Sequence, residues 1–364
     1  MQTPTDLDGL RRRVQQAIDG QIARGSRSLT EIGPEIAPLV EAVSRLLTGG
    51  KGLRAGFLYW GYRAAGGADS DAAVRLAASM EFFQGAALLH DDVMDRSDTR
   101  RGMPSAHRAV ATLHRERGWA GDPERFGEGT AILAGDLCLT WCDELYATCG
   151  LPTDALTQGR PAFDAMRTQL MGGQFLDLLE SVRGWDGLDL DERIESARKV
   201  IRFKSAKYTI EHPLTIGALV GGVTIDELEP LSDYGLALGE AFQLRDDLLG
   251  VFGDPEATGK PAGDDLREGK RTVLIALGLD GAGDEGQALL ESLLGRDDLD
   301  DAGVASIRGI LIEVGAVDRV EALIATLADD ARKAVGRARD TGRFEGVALD
   351  VLEQLIEVST ARHA

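Results

Sequence analysis

The sequence predicts an all-α protein, a single large helical bundle. Three observations carry this. Apolar residues recur at three- and four-residue spacing along most of the chain. No stretch alternates with period two for long enough to compete as a strand. Gly and Pro fall mainly between the periodic segments, and no Ser/Pro-rich or low-complexity linker interrupts residues 20 to 350, so residues 1–364 read as one domain.

Taken in order, the first breaks come at Gly49-Gly50 and Gly66-Gly67. From Asp69 to Asp95, the residues Val74, Ala78, Phe82, Ala86 and Leu89 make one apolar helix face. Gly118 to Gly129, with Trp119, Pro123 and several glycines, reads as an irregular surface loop. Cys138, Cys142 and Cys149 form no CxxC pair and read as small buried hydrophobes. Asp189 with Glu192 has the form of an acidic capping box, and Thr224 with Glu227 that of an ordinary one. Val200-Ile201 lies inside a helical pattern. Gly221-Gly222 and Gly259-Lys260-Pro261 break the pattern again, and Gly295 to Asp301 reads as a solvated acidic loop. The amphipathic pattern then returns with Ile307, Ile310, Leu311 and Val314, and helices over residues 283–361 carry no residue with catalytic character. The 45 glycines are too many for helix ends alone, so some must sit within helices and permit close packing.

The chain is 43% hydrophobic and 27% charged, with a net charge of −20. That balance argues against nucleic acid and anionic membrane as partners, since both reward clustered Lys and Arg. It also makes any local basic cluster informative. No apolar run approaches the roughly 18 residues of a membrane span, and no signal peptide is visible. An odd cysteine number without an export signal suits a cytoplasmic protein.

Two aspartate clusters end apolar helical runs: Asp91-Asp92-Val93-Met94-Asp95 and Asp246-Asp247-Leu248-Leu249-Gly250. Asp91 and Asp95 lie on one helix face, about 6 Å apart along the axis. Like charges so placed cost an isolated helix roughly 0.2–0.5 kcal/mol, so an outside cation should offset them. Oxygen ligands without nearby Cys or His ligand patterns suit Mg²⁺, which shares its shell with water and substrate phosphate. Two such sites facing one another would hold a diphosphate. Basic residues gather beside them in sequence: Gly50-Lys51-Gly52-Leu53-Arg54 at a helix start, Arg100-Arg101-Gly102, Lys204 with Lys207, and Lys260 and Lys270 after the second cluster. His90 beside Asp91 reads as a packed helix residue.

The ordered motifs resemble those of the trans-isoprenyl diphosphate synthases, the polyprenyl synthetase family, and especially geranylgeranyl diphosphate synthases. The resemblance covers about residues 45–280. It rests on Gly50-Lys51-x-x-Arg54, Asp91 to Asp95 with Arg100-Arg101-Gly102, Gly135-Asp136 and Gly173-Gln174-x-x-Asp177. Lys204-Ser205-Ala206-x-Tyr208, Phe242-Gln243-x-x-Asp246-Asp247, Gly259-Lys260-Pro261 and Gly263-Asp264-Asp265-Leu266-Arg267-x-Gly269-Lys270 continue it. It implies a central substrate cavity, a homodimer, and Mg²⁺-dependent head-to-tail condensation of isopentenyl diphosphate with an allylic diphosphate. In that scheme Asp91, Asp95 and Asp246 bind Mg²⁺. Arg100, Lys204 and Lys260 contact the allylic diphosphate, Lys51, Arg54 and Arg101 hold isopentenyl diphosphate, and Gln243 lies near the forming cation. Gln174 and Asp177 line the metal region, and Ser205 and Lys270 join the substrate-binding set.

Two departures from the family pattern stand out. Gly250 occupies a position where many members carry a third Asp, and Asp254 reads as a loop or outer residue rather than a substitute. Gln84 stands where many members place a His for the second diphosphate; it donates a hydrogen bond but carries no charge. A class I terpene cyclase is the first rival, disfavoured by the 5% aromatic content and the retained Lys51, Arg54 and Arg101. A weakly active or regulatory subunit of a heteromeric synthase is the second, kept open by Gly250. The resemblance also implies that the elongating tail runs beside the helix of the first cluster and that bulky residues before Asp91 form its floor. The other reading is that Phe83 packs in the bundle core and a neighbouring helix sets the floor. Ala86 and Ala87 are too small to stop a farnesyl tail, whereas Phe83 lies about one turn, roughly 5.4 Å, deeper. A floor there allows one more condensation than a floor at Ala86 and yields the twenty-carbon product.

Overall fold

The computed structural model describes residues 7–185, 187–253, 263–296 and 298–360. Two compact units divide the chain: Met1–Arg160 with Ile216–Val223, and Pro161–Thr215 with Thr224–Ala364. The described residues are almost wholly helical, as the periodicity predicts. No described helix is long and apolar enough to cross a membrane.

The first unit contains α1 (Leu7–Thr30), α2 (Ala37–Leu47), α3 (Leu53–Ala64), α4 (Asp71–Met94), α5 (Ala106–Glu116) and α6 (Pro123–Thr148). Its core is the packing of α4 on α6. Phe82 and Leu76 are fully buried, and Phe82 meets Trp141 edge-on at 6.1 Å. Each such side chain contributes roughly 1.5–3 kcal/mol by leaving water. Cys138, Cys142 and Cys149 are buried, as read from their spacing.

The expected loop at residues 118–129 is mostly helix. Asp122 accepts hydrogen bonds from the Glu124 and Arg125 N–H groups at 2.9 and 3.5 Å, and Pro123 occupies the first turn. This cap is worth about 1 kcal/mol, against about 1 kcal/mol lost at each of Gly127 and Gly129. The balance is decided by packing: Ala131, Ala134, Cys138, Trp141 and Leu145 are buried along α6. Gly127 itself lies against the His107 carbonyl, where a Cβ would approach to 2.2 Å. A second difference is a small antiparallel hairpin, β1 (Thr99–Arg100) and β2 (Met103–Pro104), too short to show alternation in sequence.

The second unit takes most of α7 (Thr153–Arg183), with α8 (Leu190–Val200), α10 (Glu229–Phe252), α11 (Asp264–Arg267), α12 (Val273–Gly281), α13 (Gly283–Leu293), α14 (Asp301–Glu313), α15 (Ala316–Asp340) and α16 (Gly346–Thr360). The Asp189–Glu192 capping box starts α8, and the Thr224–Glu227 box forms but caps only a single 3₁₀ turn. Leu244, Leu248, Leu274, Ile307, Leu311 and Val320 share one core.

Between α8 and α9 (His212–Val220), residues Ile201–Glu211 wind as a π-helix, a form that the helical pattern around Val200-Ile201 does not distinguish from an α-helix. Three helix-interior glycines receive this wider segment. A Cβ on Gly173 would come within 2.4 Å of the Phe203 carbonyl carbon, one on Gly239 within 2.6 Å of the Ala206 Cα, and one on Gly235 within 2.5 Å of the Glu211 Cα. These are the close-packing glycines that the composition demands.

Candidate functional site

Ser70 caps α4 by accepting from the Ala73 N–H, and the helix ends at Asp95, whose N–H donates to the Asp91 carbonyl at 2.8 Å. Asp91 and Asp95 are part-exposed on the final turn. Asp92 faces inward and is only 2% exposed. Its carboxylate accepts from Arg100 Nε at 2.8 Å, and Arg100 Nη2 closes on the same oxygen. The same guanidinium lies 3.8 Å from Asp91 Oδ2. The hairpin makes this possible, since Arg100 pairs with Met103 across a turn whose central residues, Arg101 and Gly102, have φ of 54° and 72°. A non-glycine residue held there costs on the order of 1–3 kcal/mol, and such strain concentrates at functional sites.

Arg101 then reaches back and donates to the Leu46 carbonyl at 3.0 Å. Packing around its guanidinium draws its pKa below the ordinary arginine value; Glu81 opposes this, and Arg100 and Arg54 add to it. Glu81 is the buried anion of this basic group, 8% exposed, and accepts from the Ala55 N–H at 3.0 Å in the first turn of α3. A Cβ at Gly50 would lie 3.7 Å from both Glu81 and Arg101. The Gly49-Gly50 corner is tied to α1, where Arg11 donates to the Gly50 carbonyl at 2.9 Å and Gln15 accepts from the Gly49 N–H at 3.3 Å. The structure thus gathers Arg54, Arg100 and Glu81 around Arg101, with Lys51 in the adjoining corner before α3. Gln84 is part-buried three residues beyond Glu81. Phe83 and Ala86 are fully buried and Ala87 partly so. Phe83, Ala87, Asp91 and Asp95 follow one another at four-residue spacing, and so occupy one row along α4. His90 bonds the Ile132 carbonyl at 3.0 Å, in space that a side chain at Gly135 would fill.

In the second unit, α10 carries Gln243, Asp246 and Asp247 on its last turns. Asp247 is 7% exposed, and Gln243 Nε2 donates to it at 2.8 Å. Burial pushes the Asp247 carboxyl up to about 7; the Gln243 bond and Lys270 resist this, and Asp265 and Asp246 reinforce it. Lys270 Nζ lies 3.0 Å from Asp265 Oδ1 and 2.5 Å from Glu268 Oε2. Lys204 leaves the π-helix to pair with Asp177 of α7 at 2.5 Å, while Gln174 is part-exposed one turn earlier and Ser205 is buried. Lys260 and Asp254 lie outside the described residues.

Among the described residues no three His, Cys, Asp or Glu side chains form a ready metal cage. Mg²⁺ needs none, because it keeps several waters and is held by one or two carboxylates plus substrate phosphate. Asp91 and Asp95 fit that description: hard oxygen donors, part-exposed, with Asp92 already committed to Arg100. Sequence reasoning passed over Glu81, although a charge inside Ser79-Met80-Glu81-Phe82-Phe83 is a detectable signal. Asp265 lies within the Gly263–Lys270 motif, where its position alone assigns it no role.

The sequence profile of the polyprenyl synthetase family matches residues 37–311. Among solved structures, geranylgeranyl pyrophosphate synthase from Corynebacterium glutamicum, complexed with isoprenyl diphosphate and magnesium, is similar with a TM-score of 0.91 and 38% identity, over 98% of this chain and 100% of that one. A short chain isoprenyl diphosphate synthase from Methanothermobacter thermautotrophicus is 33% identical over 74% of this chain and 75% of its own length. The geranylfarnesyl diphosphate synthase of Aeropyrum pernix is 33% identical over 80% and 82% respectively.

Proposed function

This chain belongs to the polyprenyl synthetase family, and from that membership we propose that it condenses isopentenyl diphosphate head to tail with an allylic prenyl diphosphate. Geranylgeranyl diphosphate is the proposed product. The observation that carries the reading is the end of α4, where part-exposed Asp91 and Asp95 stand beside Arg100, with Arg54 and Glu81 gathered round the neighbouring Arg101. In a chain of net charge −20, that concentration of cations beside carboxylates suits a metal-bound diphosphate.

Asp91, Asp95 and Asp246 are the residues that would hold Mg²⁺. When bound, the ion supplies electrostatic stabilisation to the departing diphosphate. Arg100, Lys204 and Lys260 bind the allylic diphosphate oxygens, so negative charge developing on the leaving group meets fixed donors. Lys51, Arg54 and Arg101 orient isopentenyl diphosphate, with Gln84 adding a neutral hydrogen bond and Ser205 and Lys270 completing the binding set. Glu81, beside the Arg101 guanidinium, holds it in place and so helps to position the second substrate's double bond for attack. Gln243, whose amide is fixed by Asp247, lines the region of the forming cation.

Phe83, two turns behind Asp91 in the same row and fully buried, is the proposed floor of the tail site, with Ala87 and Ala86 leaving the space above it. The family's homodimer is proposed here through α7, where Met171, Phe175, Leu178 and Val182 form an exposed apolar row at alternating four- and three-residue spacing. Light scattering on Phe175→Glu tests this; a variant as dimeric as the parent removes α7 from the interface. An odd number of cysteines, all three buried, supports a cytoplasmic setting.

The deciding experiment incubates the purified chain with labelled isopentenyl diphosphate and farnesyl diphosphate, with and without EDTA. A twenty-carbon product that disappears with the chelator is expected. No product refutes the synthase reading, and product formed in EDTA refutes the metal assignment. In the same assay Phe83→Ala lengthens the product to twenty-five carbons or more and Ala86→Phe shortens it to fifteen; an unchanged spectrum in both moves the floor elsewhere.

A further inference from the structure

A groove between α1, α4 and α6 in the first unit shares no residue with the group around Asp91 and Arg101. It encloses about 620 Å³, inside the range of roughly 300–1,000 Å³ for small-molecule sites. The last α4 residue in its wall, Arg75, precedes Asp91 by sixteen residues, about 24 Å along the helix.

Its charge runs against that of the chain. Arg13, Arg24 and Arg27 line it from α1 and Arg75 from α4, with Asp71 the one lining carboxylate. The whole chain has 40 basic and 60 acidic residues. Asp69 and Asp71 engage Arg13 at 2.8 and 3.2 Å and so close one end. Glu144 accepts from Gln21 at 3.0 Å and lies 3.7 Å from Arg24 Nε, which is buried without a hydrogen bond. Arg24 Nη2 donates to Gln21. With Asp69 and Glu144 counted, four arginines still face three carboxylates. The Arg27 guanidinium has no partner among the described residues. Arg75 bonds only through Nε, to the Cys149 carbonyl at 2.7 Å. Gly150, with φ of 101°, makes room for that guanidinium, since a Cβ there would lie 2.7 Å from Nη2.

The floor is short and apolar: Ala17, Gly20, Val74 and Leu145. Arg13, Ala17, Gly20, Arg24 and Arg27 recur at three- and four-residue spacing and share one face of α1. A glycine inside a helix is destabilising relative to alanine, and no neighbour requires one at position 20. A Cβ there would meet nothing within 4 Å. What Gly20 keeps is the width of the groove.

We propose that this groove binds a condensed phosphate, a chain of two or three phosphoryl groups that is either free or carried on an organic body. Arg27, Arg75 and Arg24 are its donors, and Arg13, closed by two aspartates, bounds it. Three guanidinium forks offer more donors than one carboxylate can accept, whereas a condensed phosphate presents acceptor oxygens along its length. The site is separate from the diphosphate residues of the synthase reading and does not depend on them.

Calorimetry on the full chain with sodium tripolyphosphate and with ATP tests this, in EDTA so that no metal bridges either probe to Asp91 or Asp95. Lys51→Ala/Arg54→Ala removes binding at the corner before α3 and serves as the background for Arg27→Gln and Gly20→Leu. The background variant should keep one site per chain. Arg27→Gln should weaken it about tenfold, the loss of one hydrogen bond to a charged group. Gly20→Leu leaves every charge in place and replaces a poor helix former with a good one. It should weaken binding at least as much without lowering the melting temperature. Equal affinities assign the site to the phosphate chain alone, and tighter ATP places its organic body over Val74 and Leu145. No binding by either probe, or binding that is lost in the background variant, overturns the proposal. Affinity unchanged by Arg27→Gln also overturns it, and affinity unchanged by Gly20→Leu reduces the groove to diffuse attraction and does the same.

Discussion

The ends of α4 and α10 carry the same Asp-Asp beginning, yet the buried second aspartate is treated differently in each. Asp92 receives the Arg100 guanidinium, a full positive charge. Asp247 receives the Gln243 amide, with Lys270 acting on it electrostatically rather than as its bonding partner. Both are under a tenth exposed, so desolvation alone does not separate them. The first carboxylate faces a full cation; burial lifts the second to about 7, and the neutral Gln243 donor only partly resists this. The lesson is that the motif supplies the carboxylates, while the tertiary structure decides what each inner one faces.

The comparison breaks most readily at Arg100. Arg100→Ala strands a buried carboxylate, and removing one partner of such a pair typically costs about 3–5 kcal/mol. Urea unfolding at pH 7 without ligand should show a loss of that size, with much of it recovered in Arg100→Ala/Asp92→Asn. A loss that the second substitution does not relieve would mean that Arg100 stabilises through something other than Asp92. Gln243→Ala, which removes a neutral hydrogen bond, should cost less, about 1–3 kcal/mol.

The next effect is kinetic and asks whether the two clusters do equal work. Asp91→Ala and Asp246→Ala should each lower kcat by about 100- to 1000-fold, the range for removing one charge-stabilising group from an active site. Their unfolding free energies without ligand should stay near that of the parent, because both side chains are part-exposed. If Asp246→Ala retains activity while Asp91→Ala does not, the second cluster is a structural element. Parity sharpens the comparison to the inner aspartates alone.

The smallest expected effect is in pH dependence. Burial lifts the Asp247 carboxyl from the ordinary 3.8 to about 7 in the folded protein. Between those values the folded protein holds a proton that the unfolded chain has lost, so this residue makes stability fall as pH rises toward 7 and adds no slope beyond it. Asp247→Asn should remove that component. Melting temperatures at pH 5 and pH 8, without metal, should therefore differ less in the variant than in the parent. An equal difference in both would show that Asp247 is charged throughout the range.

Much of the fold was legible locally. The apolar spacing of Val74 to Leu89 marks α4, and similar spacing along most of the chain makes the all-α class plain from pattern alone. The residues around 118–129 misled because Gly and Pro speak for a loop, whereas burial farther along α6 carried the helix back to Pro123. The π-helix at Ile201–Glu211 was invisible because it keeps an apolar pattern close to helical; what reveals it is the set of glycines that receive it from α7 and α10.

By itself the sequence determined the helical class, the two carboxylate clusters, the basic residues near them and the family. All of these depend on residue type and on spacings along one chain segment, where helix geometry converts number into direction. Tertiary structure decided the rest. It brought Arg100 onto Asp92, set Glu81 beside Arg101, and lodged Asp265 over Gly250. Each of these joins residues from different elements, and each depends on how much water packing removes. Desolvation and through-space pairing set the charge of a buried group, and neither can be counted along a sequence.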